Sequence, residues 1–166
     1  MGNVFDLMHL YRPVGLTELK LIEASEWTAF PPRLPEQPIF YPVLTYEYAK
    51  LIVKSWNAQE AEAGYAGFIT RFDVQAHFIQ QYKVETAGSQ QLQELWIPAI
   101  DLPEFNRHIV GQIKVVGAHY GPKFTGARQT YSALNRDPSP LYLRPDQSLR
   151  NEDDYQRWLR KRADGS

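Results

Sequence analysis

The chain has 166 residues, of which 43% are apolar and 22% are charged, with a formal net charge of −1 and no cysteine. This length suits one domain with a well-filled core, and the composition excludes wholesale disorder. Without cysteine, the chain has no disulfide scaffold, thiol nucleophile, iron–sulfur cluster or ordinary structural zinc site. No apolar run approaches the roughly 20 residues of a membrane span, and the first residues lack the pattern of a signal peptide. We therefore expect a soluble, cytoplasmic protein with no membrane partner.

Charge is distributed unevenly along the chain. Residues 1–120 contain 9 Lys/Arg and 13 Asp/Glu, a net charge of −4, whereas residues 121–166 contain 9 and 6, a net charge of +3. The second part is rich in proline and poor in aliphatic residues. We predict a domain over 1–120 and a Pro-rich tail over 121–166. The tail ends in a predicted short amphipathic helix, Asn151–Ala163, which either docks on the domain or forms a basic arm for nucleic acid.

The predicted elements alternate between strands and short helices. In chain order they are strand His9–Val14, helix Leu16–Ser25, an extended loop Phe30–Pro38 with four prolines, strand Ile39–Val43, helix Thr45–Asn57, strands Tyr65–Val74, Tyr82–Thr86 and Leu92–Ile97, a helical turn Asp101–Arg107 and strand Gln112–His119. Thr45 is placed to cap its helix. Because strands outnumber helices after residue 64, the pattern predicts an α+β domain rather than a βαβ repeat.

Standard catalytic and metal-binding motifs are missing. The glycines lack the spacing of a Walker phosphate loop or of GxGxxG. The four histidines form no His-x-His or His-x-x-x-His pair, so no metal site is predicted. There is no Gly-x-Ser-x-Gly elbow for a serine nucleophile.

Three other residues have side chains that could take part in binding or catalysis. Arg12 stands inside an apolar strand, either with a solvated head or as a guanidinium held at a cleft for a phosphate or ribose. Tyr41 stands in an aromatic strand on the face opposite Phe40, where its ring can pack or stack a heteroaromatic group. Glu94 stands in the apolar run 93–98, either on the wet face or at the mouth of a cleft. The residues by themselves leave these alternatives open.

Taken together, the early Tyr11-Arg12, the segment IFYPVLTYEYAKLI and the late ELWIP resemble the ADP-ribosyltransferase superfamily. Residues 9–120 also resemble small bacterial proteins labelled ADP-ribosylation/crystallin J1. The resemblance implies an α+β fold with split antiparallel β-sheets and small flanking helices. It also implies that NAD, as a substrate, binds in the cleft between the sheets.

Carried over position by position, the resemblance implies roles for single residues. Arg12 would contact a phosphate of NAD or the adjoining ribose. The ring of Tyr41 would lie against nicotinamide, with Phe40 or Tyr48 as substitutes. Glu94 would be the catalytic glutamate, whose charge stabilises the oxocarbenium-like sugar left when nicotinamide departs.

The chain also departs from the superfamily pattern. Members that modify arginine or guanine have Glu or Gln two residues before the catalytic glutamate, and here that residue is Leu92. The middle Ser-Thr-Ser strand motif is missing, so arginine is not the expected target. Arg33, in the proline-rich loop, is a further phosphate candidate from its own chemistry and takes no role from the resemblance.

Two functional hypotheses follow. The first is an NAD-dependent ADP-ribosyltransferase, a glycosyltransferase acting on a protein or nucleic-acid acceptor, of the kind found among bacterial toxins and effectors with a neutralising partner protein. The second is a catalytically inactive domain of the same fold that binds a partner protein through its aromatic residues. The first predicts that Glu94 and Arg12 converge on one NAD-sized cleft.

Overall fold

Helices and strands alternate along the chain, and the domain is α+β. The computed structural model describes residues 6–88 and 92–124. The strands are β1 (Leu7–Gly15), β2 (Ile39–Phe40), β3 (Ala66–Gln75), β4 (Val84–Thr86), β5 (Gln93–Leu95), β6 (Ile97–Pro98) and β7 (Ile109–Tyr120). The helices are α1 (Leu16–Ala24), α2 (Tyr46–Ser55), α3 (Ala76–Ile79) and α4 (Leu102–Arg107), with 3-10 turns at Asn57–Gln59, Ala61–Ala63 and Ala99–Asp101.

One half of the fold is a three-stranded antiparallel sheet in the order β1-β3-β7. Its centre is β3, whose Thr70 lies opposite Arg12 on β1 and Val115 on β7. Side chains alternate across β1, so that Leu10, Arg12 and Val14 are buried on one face. The period of two seen in the sequence therefore places an arginine on the core face of the sheet.

The other half is made of short paired segments. β4 pairs with β5, and β2 pairs with β6, both antiparallel. The two halves meet at Val43, which bridges Tyr11 on β1 and Glu94 on β5. Val43 therefore joins the β4–β5 pair to the three-stranded sheet, whereas β2 pairs separately with β6.

Phenylalanine rings fill the core beneath β1 and β3. Phe72 and Phe30 have ring centroids 4.8 Å apart, and Phe40 lies 5.1 Å from Phe30 and 5.2 Å from Phe105. All four rings are almost fully buried. Each such ring removes a large apolar surface from water, so this cluster is a main source of the stability of the fold.

Helix α2 covers the opposite face of the sheet. Thr45 caps it as predicted, because its hydroxyl accepts a hydrogen bond from the backbone N–H of Tyr48 at 3.2 Å. The helix lies close to β3 at Gly67, where a Cβ atom would come within 2.7 Å of Val53 and 2.8 Å of Asn57. Glycine at this position therefore allows the end of α2 to approach the sheet.

The structure corrects several predicted boundaries. The strand predicted over Ile39–Val43 is regular only at its first two residues, because Pro42 has no N–H for a ladder. The strand predicted over Leu92–Ile97 is divided into β5 and β6, with Trp96 between them. The short helix α3 was not predicted, because four residues are too few for a helical period to show. The predicted tail helix Asn151–Ala163 lies outside the described residues.

None of the helices described is long and apolar enough to cross a membrane.

Candidate functional site

A cavity of ≈ 360 Å³ opens beside the buried face of β1. Its wall combines the end of β1, the start of α1, the proline-rich loop and the 3-10 turns after α2. The charged residues of the wall are Arg12, Glu18, Arg33, Glu60 and Glu62. Pro31, Pro32, Leu21 and Leu34 supply its apolar part.

Arg12 is held firmly at the inner side of this cavity. Its Nε donates to Oε2 of Glu18 at 2.7 Å, and its Nη2 donates to Oε1 of the same carboxylate at 2.9 Å. Its Nη1 donates to the backbone carbonyl of Tyr41 at 3.4 Å, and the guanidinium lies 4.6 Å from the ring centroid of Phe40. A fork-to-fork ion pair over an aromatic ring leaves this guanidinium little freedom to move.

Arg33 enters the same cavity from the proline-rich loop. Its Nη1 lies 3.7 Å from Oε1 of Glu18, and its Nε is buried without a hydrogen-bond partner among the described residues. Burial lowers the pKa of the Arg33 guanidinium and the charge of Arg12 lowers it further, against the opposing effects of Glu18 and Tyr41. Two guanidinium groups therefore share one carboxylate, and that carboxylate bonds chiefly to Arg12.

The core fixes the loop that presents Arg33. Phe30 is buried in the aromatic cluster, and the side-chain amide of Asn106 accepts from its N–H at 2.9 Å and donates to its carbonyl at 3.0 Å. The prolines that follow keep the backbone extended. Arg33 is thus anchored three residues after a buried ring.

Glu94 lies on the other face of the sheet. Residues opposite each other on antiparallel strands point to the same face, so Tyr11, Val43 and Glu94 form one row across three segments. Arg12 follows Tyr11 and therefore points to the opposite face. With strands about 4.8 Å apart, the backbones of Tyr11 and Glu94 are separated by about 10 Å.

The carboxylate of Glu94 accepts a hydrogen bond from Tyr48. The phenol O–H lies 3.3 Å from Oε1 of Glu94 and comes from the first turns of α2. Burial raises the pKa of the Tyr48 phenol, and the negative charge of Glu94 and the hydrogen bond raise it further. Tyr48 therefore stays protonated and remains a donor to the carboxylate at neutral pH.

A second carboxylate lies beside Glu94. Glu85 on β4 is directly opposite Glu94 on β5, so both side chains point to the same face. The nearest cation to Glu85 in the described part of the chain is Lys83, with Nζ 4.0 Å from its Oε1. Sequence reasoning missed Glu85, because only the pairing of β4 with β5 brings the two glutamates together.

Tyr41 lies between the two groups of charges. Its backbone carbonyl accepts from Arg12, and its side chain is close enough to act on the pKa of Arg33. Its ring meets Trp96 edge to face with centroids 6.1 Å apart, two residues after Glu94. The exposed fractions are 39% for Tyr41 and 49% for Trp96, so both rings are open to a ligand. Trp96 is not among the candidate residues that the sequence predicts.

The five candidate residues therefore fall into two clusters joined by Tyr41. Arg12 and Arg33 meet in the cavity, and Tyr48 and Glu94 meet on the other face of the sheet. Glu94, Tyr41 and Tyr48 do not line the cavity, so the prediction that Glu94 and Arg12 converge on one cleft is wrong for this cavity. Phe40, named as a substitute platform for nicotinamide, is buried in the core beneath Arg12 and has no face open to a ligand.

Within residues 6–88 and 92–124, no three His, Asp or Glu side chains are grouped to hold a metal ion. The chain matches no family model, no curated protein and no solved structure. Its site must therefore be interpreted from its own geometry.

Proposed function

We propose that this protein is an NAD-dependent ADP-ribosyltransferase that modifies a macromolecular acceptor, acting in the cytoplasm as a bacterial toxin or effector. The strongest support is that residues 41–43 connect the cavity around Arg12 with the strand that contains Glu94. Tyr41 accepts a hydrogen bond from Arg12, and Val43 lies opposite Glu94. An extended ligand lying along this segment would reach the two guanidiniums of the cavity at one end and the carboxylate of Glu94 at the other.

The architecture bears on this proposal at Val43. That residue joins the β4–β5 pair to β1, whereas β2 pairs separately with β6, and Tyr41 and Glu94 lie beside this junction. A split pair of small antiparallel sheets with a ligand between them is the arrangement that the sequence resemblance implies. The proposal assigns the fold to the ADP-ribosyltransferase type on this basis.

The cavity suits the ADP part of NAD. A volume of ≈ 360 Å³ is within the range of small-molecule sites. Guanidinium groups bind diphosphate oxygens, the apolar loop residues can contact adenine, and the carboxylates of Glu60 and Glu62 can accept hydrogen bonds from ribose hydroxyls. Asn57, also in the wall, has a buried Oδ1 without a partner among the described residues, a further acceptor.

Glu94, Tyr41 and Trp96 suit the nicotinamide end. In the reaction, the bond between ribose C1′ and nicotinamide breaks, and its electron pair leaves with the ring nitrogen. The acceptor atom then adds to C1′ and gives its proton to a carboxylate or to water. Glu94 would stabilise the positive charge on the sugar, while the exposed rings hold nicotinamide.

A second candidate function is a partner-binding module without catalysis. It is favoured by exposed apolar side chains near the same edge, where Ile100 is 86% and Trp96 is 49% exposed. Such residues are typical of a contact surface for another protein, including one that neutralises a toxin.

Nicotinamide release from NAD by the purified chain, compared with that of Glu94→Gln, tests the proposal. We expect the variant to lose at least about a hundredfold in rate, because the fixed charge at the sugar is removed while the shape is kept. Glu23→Gln is the matched control, since Glu23 is an exposed carboxylate on α1. Equal rates in the wild type and Glu94→Gln, or no release by either, would overturn the proposal. Labelling of cell extract with biotinylated NAD would then identify the acceptor class.

A further inference from the structure

The two arginines of the cavity differ in how well the protein satisfies them. Arg12 directs N–H groups from all three of its nitrogens to Glu18 and to the carbonyl of Tyr41. Its side chain is only 9% exposed, so little of it faces the cavity. A ligand that bound Arg12 would have to displace Glu18 from a two-point ion pair.

The protein satisfies the guanidinium of Arg33 less well. Its ion pair with Glu18 is 3.7 Å long, beyond hydrogen-bond distance, and its buried Nε has no partner among the described residues. Its side chain is 13% exposed and belongs to the cavity wall. A largely buried charge without a close counter-ion is costly, and an anion bound from the cavity side would offset part of that cost.

We propose that Arg33, and not Arg12, is the anion-binding residue of this cavity, and that its guanidinium binds the diphosphate of a nucleotide. Glu18 has the complementary role of holding Arg12 in the wall. The identity of the nucleotide rests on the proposed function, whereas the location of the anion rests on Arg33 alone.

The surroundings of Arg33 support this division. The lowered pKa of Arg33 has burial and Arg12 as its causes, and an anion would oppose both. Glu60 and Glu62 repel an anion from their part of the wall, so the diphosphate is directed toward Arg33. Leu34, the residue after Arg33, is 56% exposed and lines the same cavity, where a base can pack against it.

Titration calorimetry with ADP tests the inference on the full chain. We expect Arg33→Gln to weaken ADP binding by at least about tenfold, because a charge-assisted pair is lost. Binding of adenosine, which has no phosphate, should be unchanged. Arg107→Gln is the matched control, because Arg107 is an exposed arginine on α4 away from the cavity.

Glu18→Gln provides a second measurement with the opposite sign. Removing the carboxylate charge between the two guanidiniums should tighten ADP binding by about threefold or more. Inorganic pyrophosphate, which has no nucleoside, should show the same order of affinities among the variants. This order would identify the phosphates as the part of ADP that Arg33 binds.

The outcomes separate this inference from the proposed enzyme. If Arg33→Gln is folded and binds ADP as the wild type does, or if the wild type binds neither ADP nor pyrophosphate, the assignment of Arg33 is wrong. If Arg33→Gln loses ADP binding while NAD is never consumed, the anion site stands and the transferase proposal fails. If Arg33→Gln consumes NAD with an unchanged KM, the transferase proposal stands and the assignment of Arg33 as the anion-binding residue fails.

Discussion

The two clusters of the candidate site hold their charges in different ways. Arg12 is buried, is bonded twice to Glu18 and lies over an aromatic ring. Glu94 is half-buried, and among the described residues its carboxylate accepts one hydrogen bond, of 3.3 Å, from Tyr48. A carboxylate with a single weak partner can meet a charge that develops during a reaction, whereas a saturated ion pair stabilises the wall around a ligand. The comparison therefore predicts that Arg12 matters most for stability and Glu94 for chemistry.

The largest effect is expected when the buried pair is broken. We expect Arg12→Met to lower the free energy of unfolding by about 3 kcal/mol, because Glu18 loses its two-point partner and keeps only the longer contact with Arg33. Urea denaturation at neutral pH measures this. Glu18→Leu in the same chain should recover much of the loss, since replacing both partners by apolar groups is far less costly. If Arg12→Met lowers the free energy of unfolding by less than about 0.5 kcal/mol, its effect is that of an ordinary surface substitution. Arg12 would then contribute no more to stability than an exposed residue, and the proposed difference between the two clusters would be wrong.

The next effect concerns the orientation of Glu94. We expect Tyr48→Phe to lower kcat for NAD about fivefold with KM unchanged, because one neutral hydrogen bond to the carboxylate is worth about 1 kcal/mol. Tyr65→Phe is a suitable control, since Tyr65 is a partly exposed tyrosine in the turn before β3. A rise in KM with unchanged kcat would instead make Tyr48 a residue that binds NAD directly.

A smaller effect is expected from the second glutamate. Like charges directly opposite on paired strands repel each other, so Glu85→Gln should raise the free energy of unfolding by about 0.5 kcal/mol. In a chain that already contains Glu94→Gln, the gain should disappear, because no facing charge remains. A gain that persists in that double variant would show that the two carboxylates do not interact.

The smallest effect is expected on stability at alkaline pH. The folded state raises the pKa of Tyr48 above its usual 10.0, so it favours the protonated phenol. The resulting stability is complete below the unfolded pKa and is lost as pH rises through the folded pKa. Between about pH 9 and about pH 11, Tyr48→Phe should therefore lose less stability than the wild type in urea denaturation. Tyr82→Phe should show the same direction more strongly, because burial and Asp101 raise the pKa of Tyr82 further. Identical pH profiles for the wild type and Tyr48→Phe would contradict this.

Local patterns predicted much of the secondary structure. The period of two in β1 and β3, the capping residue Thr45 and the prolines after Phe30 all depend on neighbours within a few residues, and each is seen in the fold. Short elements were harder to predict, because Pro42 and Trp96 interrupt strands that otherwise have continuous apolar patterns. The break in each case depends on which strand the segment pairs with.

Only some residues of the candidate site could be predicted from such local patterns. Arg12, Arg33, Tyr41 and Glu94 could be named because a charged or aromatic residue stands out in an apolar or proline-rich segment, whereas Tyr48 was named only through the family resemblance. The partners Glu18, Glu85 and Trp96 could not, because each looks like an ordinary surface residue until the chain folds. Glu85 in particular meets Glu94 only through the β4–β5 ladder.

Composition, spacing and local patterns thus determined an α+β chain without thiol chemistry and with a short set of candidate residues. The tertiary structure decided which of them meet. It placed Arg12 and Glu94 on opposite faces, because Arg12 follows the residue that shares a cross-strand row with Glu94 and successive side chains of a strand alternate. It also placed the carboxylate of Glu18 closer to Arg12 than to Arg33, because only the packing of α1 and the proline-rich loop against β1 sets those distances.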